Sequence, residues 1–191
     1  MPETFFISDT HFGHERIIHL SRRPFTSVEE MNEALIKNWN AVVGPKDVVW
    51  HLGDFGMGSD TPSREFAKRL NGKIHLIEGN HDQKTVRDCA DCFASIGLMK
   101  MISIDTQKVL LCHYPMREWD KAWRGSWHLF GHVHGRLDNE PFSKSMDVGV
   151  DSNNYHPVSF EQVREYMDEQ PTFAEFTGGE LRAHKPWKEE N

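Results

Sequence analysis

Asp9-x-His11, Asp54, Asn80-His81-Asp82, His113 and His132-x-His134 are the residues whose types and spacing could do chemistry. Carboxylates, imidazoles and an amide oxygen, with no thiolate among them, suit Mn²⁺, Fe, Ni²⁺, Co²⁺ or Zn²⁺. Each group follows a short apolar run, as a strand does when it delivers polar side chains to the mouth of a site. The clearest run is Val48-Val49-Trp50-His51-Leu52, which ends in Gly53-Asp54-Phe55-Gly56. Asp54 is central in the order, and a shared carboxylate best holds two cations about 3.5–4 Å apart against their repulsion. We read Asp54 as that bridge. Singly, the groups have plainer readings: Asp9 could cap the helix after it, and Asn80 and Asp82 could be ordinary loop residues.

The elements around these groups can be read from periodicity. Residues 4–8 and 73–78 are expected strands, each just before a polar group. Residues 99–104 and 108–112 read as a hairpin about Asp105-Thr106-Gln107; 127–130 and 145–150 read as the last strands. Asp9 and His11, like His132 and His134, are two apart, so an extended chain would project both members on one side. Residues 15–20 read as a helix. Ser27 and Glu30 form a capping box ahead of a helix whose core stripe is Val28, Met31, Leu35, Trp39 and Val42. Thr61-Pro62 starts another helix, with Phe66 and Leu70 inward, and residues 159–167 form a last one. His51 and His75 lie inside strands and read as core or supporting residues. Strands alternate with helices early and follow one another later, which predicts an α/β sandwich of mixed sheets with helices outside.

The 191 residues suit one domain, here residues 1–170, with a polar tail over 171–191. A net charge of −7 argues against a broad grip on long nucleic acid, which needs a basic face. No apolar run is long enough to span a bilayer, and the start lacks a signal-peptide pattern. Three cysteines, with Cys89 and Cys92 close together, read as buried or idle thiols in a reducing cytoplasm.

The order D-x-H, G-D, G-N-H-D, H, G-H-x-H resembles the calcineurin-like metallophosphoesterase superfamily. It does so from residue 4 to about 150 and is most similar to small bacterial, archaeal and phage members. The resemblance implies a four-layer α/β/β/α sandwich with two metals, Mn²⁺ first among the candidates, at the strand ends. It implies one metal on Asp9, His11, Asp54 and His134, and a second on Asp54, Asn80, His113 and His132. It implies His81 as general acid or electrostatic stabiliser, with Asp82 as its orienting partner.

Two such ions would bind phosphate oxygens and lower the pKa of a bridging water from about 15.7 toward 7, so no serine or cysteine nucleophile is required. Arg117, Trp119 and Arg124 lie in a segment where basic groups and aromatics interleave, the expected place for substrate recognition; His14, Arg22 and Arg23 are second choices. The reading is a cytoplasmic phosphodiesterase acting on a small or nucleotide-like phosphate ester. Its rivals are a phosphomonoesterase and a non-catalytic metal-binding interaction module.

Overall fold

The computed structural model describes residues 2–57, 62–137 and 144–170. The expected cap at Thr61 and the tail over 171–191 lie outside the described residues. Four parallel strands, β1 (Thr4–Ile7), β2 (Val48–His51), β3 (Lys73–Ile77) and β4 (Ser95–Gly97), make one sheet. Antiparallel β9 (Val158–Ser159) closes it in the order β4-β3-β2-β1-β9. The second sheet runs β5-β6-β7-β8, from β5 (Met99–Ile104), β6 (Gln107–Cys112), β7 (Trp127–Phe130) and β8 (Ser145–Asp147). Its first pair is the expected antiparallel hairpin; the other two pairs are parallel. β4 and β9 were not anticipated, being too short for alternation to register. The last strand stops at Asp147, and a 3₁₀ turn over Val150–Ser152 follows it.

Strand alternation sorts two cores. Phe5, Ile7, Val49, Ile74 and Leu76 face α1 (Glu15–Leu20), α2 (Val28–Val42), α3 (Ser63–Ala67) and α4 (Gln83–Cys89), whose inner faces include Ile17, Met31, Leu35, Trp39 and Phe66. Phe6, Leu52 and Ile77 point the other way and meet Val109, Leu111 and Leu129 of the second sheet. α5 (Phe160–Glu169) adds Phe160, Val163 and Met167 to this inner core. Every residue of β7 is buried, so the far face of the second sheet is covered too. Segment 114–126 covers it: Trp119 packs on His128 of β7 with ring centroids 5.2 Å apart. The fold is therefore two mixed sheets face to face with helices outside, and the layer over the second sheet is a loop with one 3₁₀ turn, Ala122–Arg124.

Local signals behave as physics requires, with two adjustments. The Ser27 hydroxyl accepts from the Glu30 N–H at 3.1 Å, but the Glu30 carboxylate reaches back to the Thr26 N–H and hydroxyl instead of closing the box on Ser27. The complete capping box is at Ser159 and Gln162, starting α5. Val42, expected in the core stripe of α2, is exposed; the chain turns after it and buries Val43 in its place.

Candidate metal centre

The loops leaving β1, β2, β3, β6 and β7 meet at one end of the sandwich. Backbone pairing continues past the strands there: Asp9 N–H donates to the Gly53 carbonyl, His11 N–H to that of Asp54, and Phe12 N–H to that of Phe55, each at 2.9 Å. The two sheets are joined at this end, because Ser8 N–H donates to the Val148 carbonyl and Val150 N–H to that of Ser8.

Asp9, His11, Asp54, His132 and His134 all have left-handed backbones, with φ of 59°, 50°, 55°, 71° and 49°. That conformation costs a non-glycine residue about 1–2 kcal/mol, and such strain persists where the surroundings impose it, often at functional sites. The expected extended geometry of the two x-spaced pairs is thus replaced by left-handed turns. His132 and His134 also part company, while Asp9 and His11 stay in one group. His134 stacks on His11 with centroids 5.3 Å apart, whereas His132 stands against His113 at 5.1 Å.

Two groups result that could hold a metal ion: Asp9, His11 and His134, and Asp54, His113 and His132. Asp54 links them, since its Oδ2 is 3.5 Å from His11 Nε2 and 3.6 Å from His113 Nε2. Its Oδ1 is held by the His81 N–H at 2.9 Å, which leaves Oδ2 for the centre. The plainer reading of Asp9 as a helix cap fails: its Oδ2 accepts from the His132 N–H at 2.9 Å, and α1 has no side-chain cap.

The histidines are prepared as lone-pair donors by what their other nitrogens do. His113 Nδ1–H donates to the Leu52 carbonyl at 2.7 Å, and His134 Nδ1–H donates to Asp151 Oδ2 at 2.7 Å. Both Nε2 atoms then present lone pairs to the centre, as in carboxylate–histidine–metal arrangements. His113 Nε2 faces Asn80 Oδ1 at 3.2 Å, acceptor against acceptor. His134 Nε2 faces Asp9 Oδ1 at 3.7 Å. Asp9 Oδ1 and His11 Nε2 are buried with no hydrogen-bond partner among the described residues. Buried polar atoms are rarely left so, and a divalent cation at the centre of the first group would satisfy both. The donor set fits metal.

Burial and neighbouring charges shift the ionisable groups here in different directions. Burial pushes the Asp9 carboxyl up to about 6, against the pull of His134 and His113. Burial, then Arg23, holds His11 well below the ordinary histidine range. Burial opposes the His134 charge, but Asp151 and Asp9 together outweigh it and raise that pKa. Close backbone approach is needed here too. A Cβ on Gly79 would strike Asp54 Oδ1, and one on Gly131 would strike Ser8 Oγ and Asp9 Oδ2.

Other expected site residues divide. His14 belongs: its Nδ1 is 3.3 Å from His11 Nδ1. The His81 ring is 5.5 Å from that of His11 and 6.4 Å from that of His14. Asp82 does not reach the His81 ring. Its oxygens instead accept from the N–H groups of Asp54 (2.7 Å), Gly79 (2.8 Å) and Phe55 (2.9 Å), so it braces the bridging loop from below.

Arg23 is no substrate clamp. Its side chain is fully buried, with Nε and Nη2 on Asp151 at 2.9 and 2.8 Å and Nη1 and Nη2 on the Thr10 and Asp9 carbonyls. Trp119 is buried, donating from Nε1 to Ser126. Arg124 lies before β7 and beside Gln107, at the opposite end of β6 from His113, roughly 20 Å away at about 3.3 Å per residue. Arg117 is exposed in the covering segment, and no contact among the described residues brings it to the centre.

The support that Asp151 gives the site is not legible from spacing, since its partner Arg23 is 128 residues away. Tyr114, whose ring meets those of His113 and His132, is legible only as the neighbour of His113. His51 supports the site as expected. Its Nδ1 accepts from the Gly53 N–H at 3.2 Å, which makes Nε2–H the donor to the Thr10 hydroxyl at 2.9 Å. The three cysteines are free, with Cys89 and Cys112 buried. No helix among the described residues is long and apolar enough to cross a membrane.

The chain is similar to known proteins over nearly this whole architecture. An uncharacterized protein of Methanocaldococcus jannaschii is 39% identical over 170 residues, which covers 85% of this chain and 90% of that one. The Gene 66 protein of Mycobacterium phage L5 is 40% identical over 183 residues, covering 80% and 88%. Among solved structures, a protein of unknown function from Aquifex aeolicus superposes with a TM-score of 0.71 at 25% identity, covering 87% of this chain and all of that one. The model of the calcineurin-like phosphoesterase superfamily domain matches residues 3–147, which contain both ligand groups. The chain belongs to the calcineurin-like phosphoesterase superfamily.

Proposed function

We propose that this protein is a dinuclear metal-dependent phosphodiesterase acting on a small or nucleotide-like ester. The observation that carries the dinuclear reading is Asp54 Oδ2, one oxygen between His11 Nε2 and His113 Nε2. Asp9, His11, Asp54 and His134 would hold one ion, and Asp54, Asn80, His113 and His132 the other, with Mn²⁺ first among the candidates. Bound ions supply Lewis acidity for the phosphate oxygens and a low pKa for water.

The protein's own groups do the rest. The His81 imidazole stands beside His11 and gives its proton to the leaving ester oxygen. Its backbone N–H fixes the rotamer of Asp54, and Asp82 fixes the loop that carries Asp54. The diester preference is supported by Arg23, the only buried arginine among the described residues. A monoester dianion is best gripped by a guanidinium fork, and this fork is already committed to Asp151 and two carbonyls. A singly charged diester asks for less.

The test is turnover of bis-p-nitrophenyl phosphate and p-nitrophenyl phosphate by one Mn²⁺-loaded sample. Faster diester cleavage is expected. Faster monoester cleavage would make the protein a phosphatase, and turnover of neither with any candidate metal would leave an interaction module.

A further inference from the structure

The two ligand groups have different flanks. Beside Asp9, His11 and His134 stand two further imidazoles, His14 and His81. Beside Asp54, His113 and His132 stands an aromatic ring. Tyr114 lies with its centroid 5.0 Å from that of His113 and 4.9 Å from that of His132, at interplanar angles of 75° and 66°. It is nonetheless 45% exposed. Large hydrophobic side chains are exposed elsewhere, at Leu98 and Met99 for example, but the exposed ring of Tyr114 meets two ligand imidazoles.

A tyrosine that only oriented His113 and His132 would be more stable with its ring covered. The orientation of His113 is already set by the Leu52 carbonyl. The exposed ring therefore leaves a π-surface at the mouth of the second group. Flat heterocycles stack on such surfaces whatever their base identity. The opposite flank carries the imidazoles of His14 and His81 instead.

We infer that Tyr114 is a substrate-positioning residue that stacks a flat ring carried on the non-leaving arm of the ester, so that phosphates with a nucleoside-like ring on that arm are preferred over those with an aliphatic one. This rests on the phosphodiesterase reading above for the site, but not for the ring preference itself, which binding can report without turnover.

The experiment compares wild type, Tyr114→Phe and Tyr114→Ala. Binding of thymidine 5′-monophosphate and of methyl phosphate to Mn²⁺-loaded protein is measured by calorimetry. Turnover is measured on thymidine 5′-(p-nitrophenyl phosphate) and methyl p-nitrophenyl phosphate, which share a leaving group. We expect wild type and Tyr114→Phe to favour the thymidine ligand by about tenfold or more, and Tyr114→Ala to lose that gap through KM with kcat little changed. Methyl phosphate binding and methyl ester turnover should stay within about twofold in all three proteins. Equal losses for both ligands in Tyr114→Ala would assign the ring a purely structural role and overturn the inference. So would an unchanged gap, or equal binding of the two ligands by wild type. A wild type that binds with the expected gap but cleaves neither ester refutes the phosphodiesterase reading and leaves the ring preference standing.

Discussion

Asp151→Ala removes one carboxylate from beneath His134, and its consequences can be worked out from the geometry. Asp151 is 7% exposed and faces Arg23, whose side chain is fully buried, through paired contacts at 2.9 and 2.8 Å. Arg23 and His134 together pull its pKa below the usual carboxylate range although burial, the largest single influence, acts against them. Breaking a buried pair by deleting one member leaves the other charge uncompensated, at a cost of about 3–5 kcal/mol. At about 2–4 °C per kcal/mol for a chain of this size, the melting point should fall by roughly 6–20 °C.

A separate loss concerns the metal. His134 Nδ1 would lose its acceptor, and removing such a support costs about 10- to 100-fold in metal affinity. The pair Arg23→Met with Asp151→Ala distinguishes the two effects. It removes the orphaned charge and should recover part of the stability, though the Asp9 and Thr10 carbonyls lose their donor. It should recover none of the metal affinity. Urea unfolding and Mn²⁺ titration calorimetry read the two quantities independently. If Asp151→Ala unfolds at the wild-type midpoint and binds Mn²⁺ as tightly as wild type, the account of this network is wrong.

Gly79→Ala places a methyl group against Asp54 Oδ1, so Mn²⁺ stoichiometry or affinity should drop; a variant that binds metal normally would show that the loop can yield. Asp54→Ala should empty both groups while Asn80 and the histidines remain, whereas His81→Ala should keep its metal and slow turnover most for poor leaving groups, both checked by elemental analysis. Acid should destabilise the fold through buried neutral histidines. Burial holds His128 at about 4, and burial together with His113 holds His51 at about 3. Below about 6.5 the unfolded chain takes up protons that the native state refuses, so stability is full above that pH and falls as pH drops toward 4, by about 1.4 kcal/mol per unit for each histidine. His128→Gln, which can still accept from the Met116 N–H and donate to the Leu110 carbonyl, should flatten urea midpoints between pH 6 and 5 by one such contribution; parallel curves would refute this.

Much of the strand pattern was legible because period-two burial leaves a trace in residue type. β1, β2, β3, β6 and β7 each carry their polar group immediately after an apolar run, where it was expected. β9, two residues long, is too short to carry such a trace. The interleaved cations and aromatics after His113 misled for a related reason. Composition marks Trp119 and Arg124 as able to bind a substrate, but the first fills the outer face of the second sheet and the second sits at its far end.

Residue order along the chain determined the fold class, the donor types and the approximate place of every proposed ligand, since these follow from local backbone period and side-chain chemistry. The partition, which the family resemblance implies and spacing by itself does not give, is made physically by the tertiary structure. His132 and His134, two residues apart, join different groups because both adopt left-handed backbones. Arg23 became an anchor for His134 and not a hand for substrate because Asp151, 128 residues later, is folded against it. Spacing reports what neighbours along the chain can do; burial and the pairing of distant side chains decide which of those possibilities is used.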